Sequence, residues 1–228
     1  MTFTKDILKE SKSFAKFFTE KTNKDIYHHI EVALEGFHHL FVYFAQQGIT
    51  ICPIPDEIDD ANSIISNHPV MNILSEKARK TGQVGQALDL IANKRIAASQ
   101  IGNLIIVSDS AHPLIIQHEL FHYVHQLLNS KTNQLIQDLY KEATKRNSFI
   151  DERIQEIPSN AIEEYFAHSG SAYINNKKTM WVLKSKHNKL KKIDISVFLL
   201  IQDIMKGDSK YFKGIESIFS RRKLARSA

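Results

Sequence analysis

Three residues in one short stretch, His118, Glu119 and His122, follow the order His-Glu-x-x-His. On a helix, positions four apart lie on one face, so the imidazoles of His118 and His122 can grip a single cation. Zinc suits them, because it takes neutral imidazole nitrogen at about 2.0–2.1 Å in a tetrahedral site, and a catalytic site keeps one position for water. Glu119 directly follows the first ligand, so its carboxylate can flank that water without binding the metal and take its proton as it attacks a carbonyl. The surrounding residues Leu114, Ile115, Ile116, Leu120, Phe121, Val124, Leu127 and Leu128 are apolar. Their spacing is that of a buried helix. The motif therefore faces a core or cleft, where unpaired polar groups are costly.

A second stretch carries the remaining chemistry. Residues 160–173 read as a helix, with Phe166, Ser169, Gly170 and Tyr173 on one face and Ala167, Gly170 and Ser171 small enough for close packing. Glu164 and His168 are four apart and share a face. A glutamate here fills a third zinc position, and a polar residue one turn on can orient it. Glu163 is read as an exposed carboxylate favoured by the helix dipole. His125 lies three residues after His122 and so turns away from the ligand face. The neighbouring pairs His28, His29 and His38, His39 point about 100° apart within each pair, and no carboxylate completes a site with them. They are read as surface or packing histidines.

These residues need a frame. Residues 24–47 have the helical pattern Ile26, Ile30, Ala33, Leu34, Phe37, Leu40, Phe41, Phe44, with Gly48 as a stop. Residues 49–54 alternate as a strand. Short helices are expected around Ile64 and over 71–80, with a break at Gly82 and Gly85. Ala97–Ser99 and Leu104–Ser108 form a hairpin whose second strand leads into the motif helix, capped by Asp109 or Ser110 or started by Pro113. The exposed edge of that strand offers main-chain hydrogen bonds to an extended peptide. An amphipathic helix over 131–146 and a polar segment over 147–159 follow, closing on the helix-start signal Pro158-Ser159-Asn160. The remainder, 176–228, reads as basic and helical, with a buried helix over 197–205 ended by Gly207 and a charge run over 220–226.

With 228 residues and 43% apolar side chains, the chain has enough material for a real core. The expected organisation is an N-terminal helical extension, 1–23, and a single domain, 24–228. Phe14, Phe17 and Phe18 mark that extension as a short amphipathic helix docked on the body. Thirty basic against 25 acidic residues give a net charge of +5, interspersed along the chain, which is not a nucleic-acid footprint. The single cysteine, Cys52, excludes an internal disulfide and reads as a buried thiol in a strand. No apolar h-region opens the chain, and no apolar run reaches the roughly 20 residues that span a bilayer. A soluble monomer is expected, either cytoplasmic or exported without a cleavable signal.

The stretches HELFH (His118–His122) and EEYFAHSGSAYI (Glu163–Ile174) together resemble the glutamate-zincin endopeptidases of the anthrax lethal factor type. That group includes the small proline-directed endopeptidases sharing the catalytic domain. In that family the motif helix supplies two histidine ligands and a catalytic glutamate, and a later helix of the form E-[YF]-F-A-E supplies the third ligand. The resemblance implies zinc ligands His118, His122 and Glu164, with Glu119 as the base that drives peptide-bond hydrolysis in a protein or peptide substrate. It also implies a mainly helical α+β zincin-like domain, with a small mixed sheet or hairpin beside the motif helix, covering Lys24 to Asn175. The chain departs from the family at three places. Phe121 stands where glycine is common, and His168 stands where a carboxylate follows the third ligand by one turn. Ile157 lies near the place of the tyrosine that stabilises the oxyanion, so Tyr140, Tyr173 and His168 become candidates for that task. A second resemblance is to intracellular metallopeptidases that cleave phage-type repressors, which usually have shorter spacing and an asparagine where this chain has Tyr165. A third reading is a catalytically inactive, zinc-stapled toxin or interaction module, which the missing tyrosine supports and the intact Glu119 opposes.

Overall fold

A computed structural model describes residues 2–15, 23–55, 82–145, 161–175, 179–181, 190–192 and 195–214. The architecture is mixed α+β, mostly helical with one small three-stranded sheet. The chain divides into two compact units, Met1–Tyr123 and Val124–Ala228, and the boundary falls within one helix, Pro113–Leu127.

The first unit is built around the sheet. Strands β1 (Thr50–Ile54), β2 (Ala98–Ile101) and β3 (Leu104–Ser108) are ordered β1-β3-β2, with β1 parallel and β2 antiparallel to β3. Every residue of β1 and β3 is buried, as expected of a strand pair covered on both faces. Cys52, Ile54, Leu104 and Ile106 lie on one face with Ile101, and Val84, Ala87, Leu88 and Ile91 of a helix cover them. Burial, with the Glu10 carboxylate nearby, pushes the Cys52 thiol well above its ordinary range, so it stays a protonated, unreactive core residue. Pro53 is tolerated because β1 is an edge strand, where a missing N–H breaks no ladder bond. The hairpin turns on Gly102, whose φ of 61° is the positive value that the first position of a type II′ turn requires.

Four helices flank this sheet among the described residues: α1 (Thr2–Ala15), α2 (Asp25–Glu35), α3 (Phe41–Gln47) and α4 (Gln83–Ala92). Helix α1 is held against strand β1 by polar contacts. Ser11 Oγ donates to the Ile51 carbonyl at 2.8 Å, so α1 covers the outer edge of β1, and Thr50 Oγ1 donates to Glu10 at 3.0 Å. The aromatic anchor is Phe3, whose ring centroid lies 4.8 Å from that of Phe41; the Phe14 side chain, Phe17 and Phe18 lie outside the described residues.

Several expectations change here. The helix expected over 24–47 is broken: α2 ends at Glu35, a 3-10 turn spans His38–Leu40, and α3 begins at Phe41. The break lets Phe37 turn fully into the core, 5.8 Å from Phe44 and 5.0 Å from Phe121 between ring centroids. Gly48 does end α3, in the left-handed conformation at φ 69°. The break expected at Gly82 and Gly85 is instead the start of α4. Its apolar residues recur at the 3.6-residue period, and burying that face offsets the cost of a helical glycine. The edge of β3 is not exposed, because β1 and β2 pair with it on both sides.

The second unit is organised by α6 (Ser130–Lys145), α7 (Ala161–Ile174) and α8 (Ile195–Ile204), with α5 denoting the helix Pro113–Leu127. Asn129 caps α6 by accepting from Thr132 N at 2.9 Å, and its amide donates to the carbonyls of Lys210 and Phe212. Tyr140 of α6 packs against Tyr165 of α7, and Tyr173 packs edge-on against Phe198 of α8. Val197, Leu200, Ile201 and Ile204 bury one face of α8, while Ile195 and Leu199 remain exposed. The region after 176 is not wholly helical: β4 (Thr179–Trp181) and β5 (Leu190–Lys192) form an antiparallel pair. The expected helices around Ile64 and over 71–80, the polar segment 147–159 with its start signal, and the 220–226 charge run lie outside the described residues.

Two predictions follow from these contacts. Burial raises the Glu10 carboxyl above its ordinary range, the Thr50 hydrogen bond opposing this only in part. A raised folded-state value contributes stability that is complete below the unfolded-state value and lost as pH rises through the folded one. Glu10→Gln keeps an acceptor for Thr50 and should raise the melting temperature at pH 7.5; that gain should shrink on acidification through the carboxylate range. A pH-independent difference in thermal melts would contradict this account. Asn129→Ala should cost about 1 kcal/mol in denaturant unfolding through the lost cap.

Candidate metal centre

Helix α5 begins differently from the expected Asp109 or Ser110 cap. Its first-turn N–H at Leu114 points to His112 Nδ1 at 3.2 Å, so His112 is the capping side chain, with Pro113 at the first helical position. Asp109 instead accepts from Asn23 N at 2.8 Å, which ties the start of α2 to the end of β3. A hydrogen bond from Asp109 N to the Ile54 carbonyl holds the chain against the sheet just before the helix.

Along α5, Ile116, Gln117, Leu120, Phe121, Tyr123, Val124 and Leu127 are buried. At about 100° per residue these occupy less than half the circumference. His118, Glu119, His122 and His125 fall on the remaining arc and are half-buried. Phe121 therefore points into the core against Phe37 and leaves the histidine face clear. His118 Nε2 and His122 Nε2 face each other at 3.0 Å, with the rings nearly perpendicular at 82°. Two donors on one tetrahedral zinc stand about 3.3 Å apart, given bonds of about 2.05 Å. The two imidazoles are thus already at chelating separation, and one cation can take both lone pairs.

On α7 the pattern repeats. Tyr165, Phe166, Ala167, Ser169, Gly170 and Ala172 are buried, while Glu164 and His168 stand at the margin of that buried face. His168 Nε2 lies 3.6 Å from Glu164 Oε2, the two side chains being 18% and 29% exposed. Among the described residues, His118, Glu164 and His168 form a group able to hold a metal ion, with one ligand atom from each within 4.8 Å of the others. That group does not include His122, whose Nε2 faces His118 Nε2. Glu163 is exposed, as expected of a helix-start carboxylate.

The other candidates are placed as follows. Tyr140 packs on Tyr165, the neighbour of Glu164. Tyr173 lies about 13 Å farther along α7 than Glu164, at 1.5 Å per residue, and packs on Phe198. Ile157 lies outside the described residues. His125 packs against Phe166 at 5.5 Å between centroids. His28, His38 and His39 are exposed, and His29 Nδ1 pairs with the Ala111 carbonyl at 2.9 Å, in keeping with surface and packing roles. His168, expected to orient the third ligand or to stabilise the oxyanion, stands here as a possible ligand itself. Its signal was available: Glu164 and His168 have the same i,i+4 spacing as His118 and His122.

No protein-family model, curated protein or solved structure matches the chain. No helix among the described residues is long and apolar enough to cross a membrane.

The donor group predicts one bound metal per chain in protein equilibrated with zinc and desalted. His118→Ala should lose it and Glu164→Ala should weaken it. Zinc at 100 times its dissociation constant should stabilise the wild type by about 2.7 kcal/mol. Thermal melts of the three proteins with and without zinc check this, and an unshifted wild type would remove the centre.

Proposed function

We propose that the chain is a zinc-dependent endopeptidase of the glutamate-zincin kind. The observation that supports this most directly is the pair of imidazole nitrogens 3.0 Å apart on α5, with Glu119 set between them in sequence. His118, His122 and Glu164 would hold the ion. When bound, zinc supplies a Lewis acid that polarises a peptide carbonyl and acidifies water. Glu119, one residue beyond the first ligand, accepts the water's proton and returns it to the departing amine. Tyr140, Tyr173 and His168 are the candidates to donate a hydrogen bond to the carbonyl oxygen as it gains charge. The zincin-like fold belongs to this proposal, with the motif helix following the central strand of a small mixed sheet. An extended peptide would lie along the outer edge of β2, since β2 pairs with β3 on one side and α1 covers the corresponding edge of β1.

A second reading, a zinc-stapled module without catalysis, is favoured by Ile157 at the place of the family's oxyanion tyrosine. An absent oxyanion donor costs about 10²–10³ in rate. One variant separates the two readings. Glu119→Gln should retain zinc while hydrolysis of a quenched peptide library falls by about 10²–10⁴. Zinc-bound wild type that cleaves no peptide in the library would favour the module.

A further inference from the structure

We propose that α1 is a releasable strap over the outer edge of β1, latched by Ser11 and Glu10, and that ionisation of Glu10 loosens it. All of its parts lie within the first unit, away from the metal donors.

The edge explains why a strap is needed. Thr50 N donates to the Asn103 carbonyl and Asp109 N to that of Ile54, so Thr50, Cys52 and Ile54 turn their main-chain groups toward β3. Main-chain direction alternates along a strand, so Ile51 and Pro53 face outward. Pro53 has no N–H. The outward groups are therefore the Ile51 amide and the carbonyls of Ile51 and Pro53. Ser11, itself fully buried, donates its Oγ to the Ile51 carbonyl at 2.8 Å. A side chain of α1 thus satisfies what the backbone of a further strand would otherwise bond.

The strap is held with little apolar burial. Among the described side chains of α1 only Ile7 and Ser11 are buried, whereas α4 buries Val84, Ala87, Leu88 and Ile91. An element with few buried apolar contacts opens at lower cost than the unit that carries it.

A carboxyl stands in this interface. Glu10 accepts from Thr50 Oγ1 at 3.0 Å, and burial favours its protonated form, the Thr50 bond opposing this only in part. From β1 it meets the Thr50 hydroxyl and the Cys52 thiol, which burial keeps protonated. α2 presents Tyr27, with Lys12 Nζ of α1 5.5 Å from its ring centroid. α3 meets α1 through Phe41 and Phe44, against Phe3. On α1 itself Asp6, Lys9 and Lys12 are exposed. Docking raises the carboxyl above its ordinary range, so the strap is tightest with Glu10 protonated and weakens as pH rises through the docked-state value. Opening returns the carboxylate to water and uncovers the Ile51 amide and carbonyl.

Amide hydrogen exchange of the full chain, read by mass spectrometry and corrected for the intrinsic pH dependence of exchange, tests this. In the wild type, α1 should lose protection between pH 5 and pH 8 relative to β3, whose exchange reports opening of the whole unit. Glu10→Gln cannot ionise and should hold α1 protection constant over that range. Ser11→Ala should lower α1 protection at both pH values and keep the pH dependence. Protection of α1 equal to that of β3 at both pH values would mean that the helix opens only with the unit, which overturns the proposal. The wild-type pH dependence surviving in Glu10→Gln would overturn it equally.

Discussion

An α-helix has one period, and α5 must meet two demands with it. One arc has to bury Ile116, Leu120, Phe121, Val124 and Leu127, and the other has to present His118, Glu119 and His122 where they are partly shielded from water. The 3.6-residue repeat separates these sets because the apolar residues recur at intervals of three and four while the histidines occupy the intervening positions. A shift of the buried arc by one residue, about 100°, would carry the histidines into the core as polar groups at high cost. The chemical face of the helix is therefore determined by its apolar face, and everything that holds the apolar face acts on the metal donors.

That dependence explains the surroundings of α5. β3 is paired on both sides and buried along its whole length, and the few residues after it are tied by Asp109 to Ile54 and Asn23. The helix then starts on a His112 cap and Pro113. Phe37, set into the core by the break between α2 and α3, meets Phe121 on the side away from the histidines. A large residue directly before the second histidine is compatible with an accessible donor face because it is spent on packing. In α7 the buried arc is wider, which leaves Glu164 and His168 only a narrow margin. Their placement follows from what the rest of the helix must cover.

Partial burial also sets the chemistry available. Half-buried imidazoles and a carboxylate keep enough access to bind a cation while the neighbouring apolar residues limit competing water. The count of donors then decides between holding structure and doing hydrolysis, since the ion is the same in both cases.

Much of this was legible in the residues alone. The strand 49–54, the hairpin, the motif helix, the helices over 131–146 and 160–173 and the pairing of donors at i,i+4 follow from local periodicity and turn chemistry, which short windows of sequence contain. The same local rules misread α4, where two glycines outweighed an apolar repeat, and the single helix expected over 24–47, where Phe37 needed a core partner to justify the break. Local rules could not supply the strand order, because pairing β1 with β3 joins residues far apart in the chain, and with it went the expected open edge of β3. Nor could they give the 3.6 Å between His168 Nε2 and Glu164 Oε2, since spacing along a helix sets a shared face but not the separation of side-chain tips. The sequence by itself determined which residues can bind a metal and on which helical faces they stand. Only tertiary packing decided the strand order β1-β3-β2 and the meeting of Phe37 with Phe121, because these depend on contacts between segments whose separation in sequence carries no information about their separation in space.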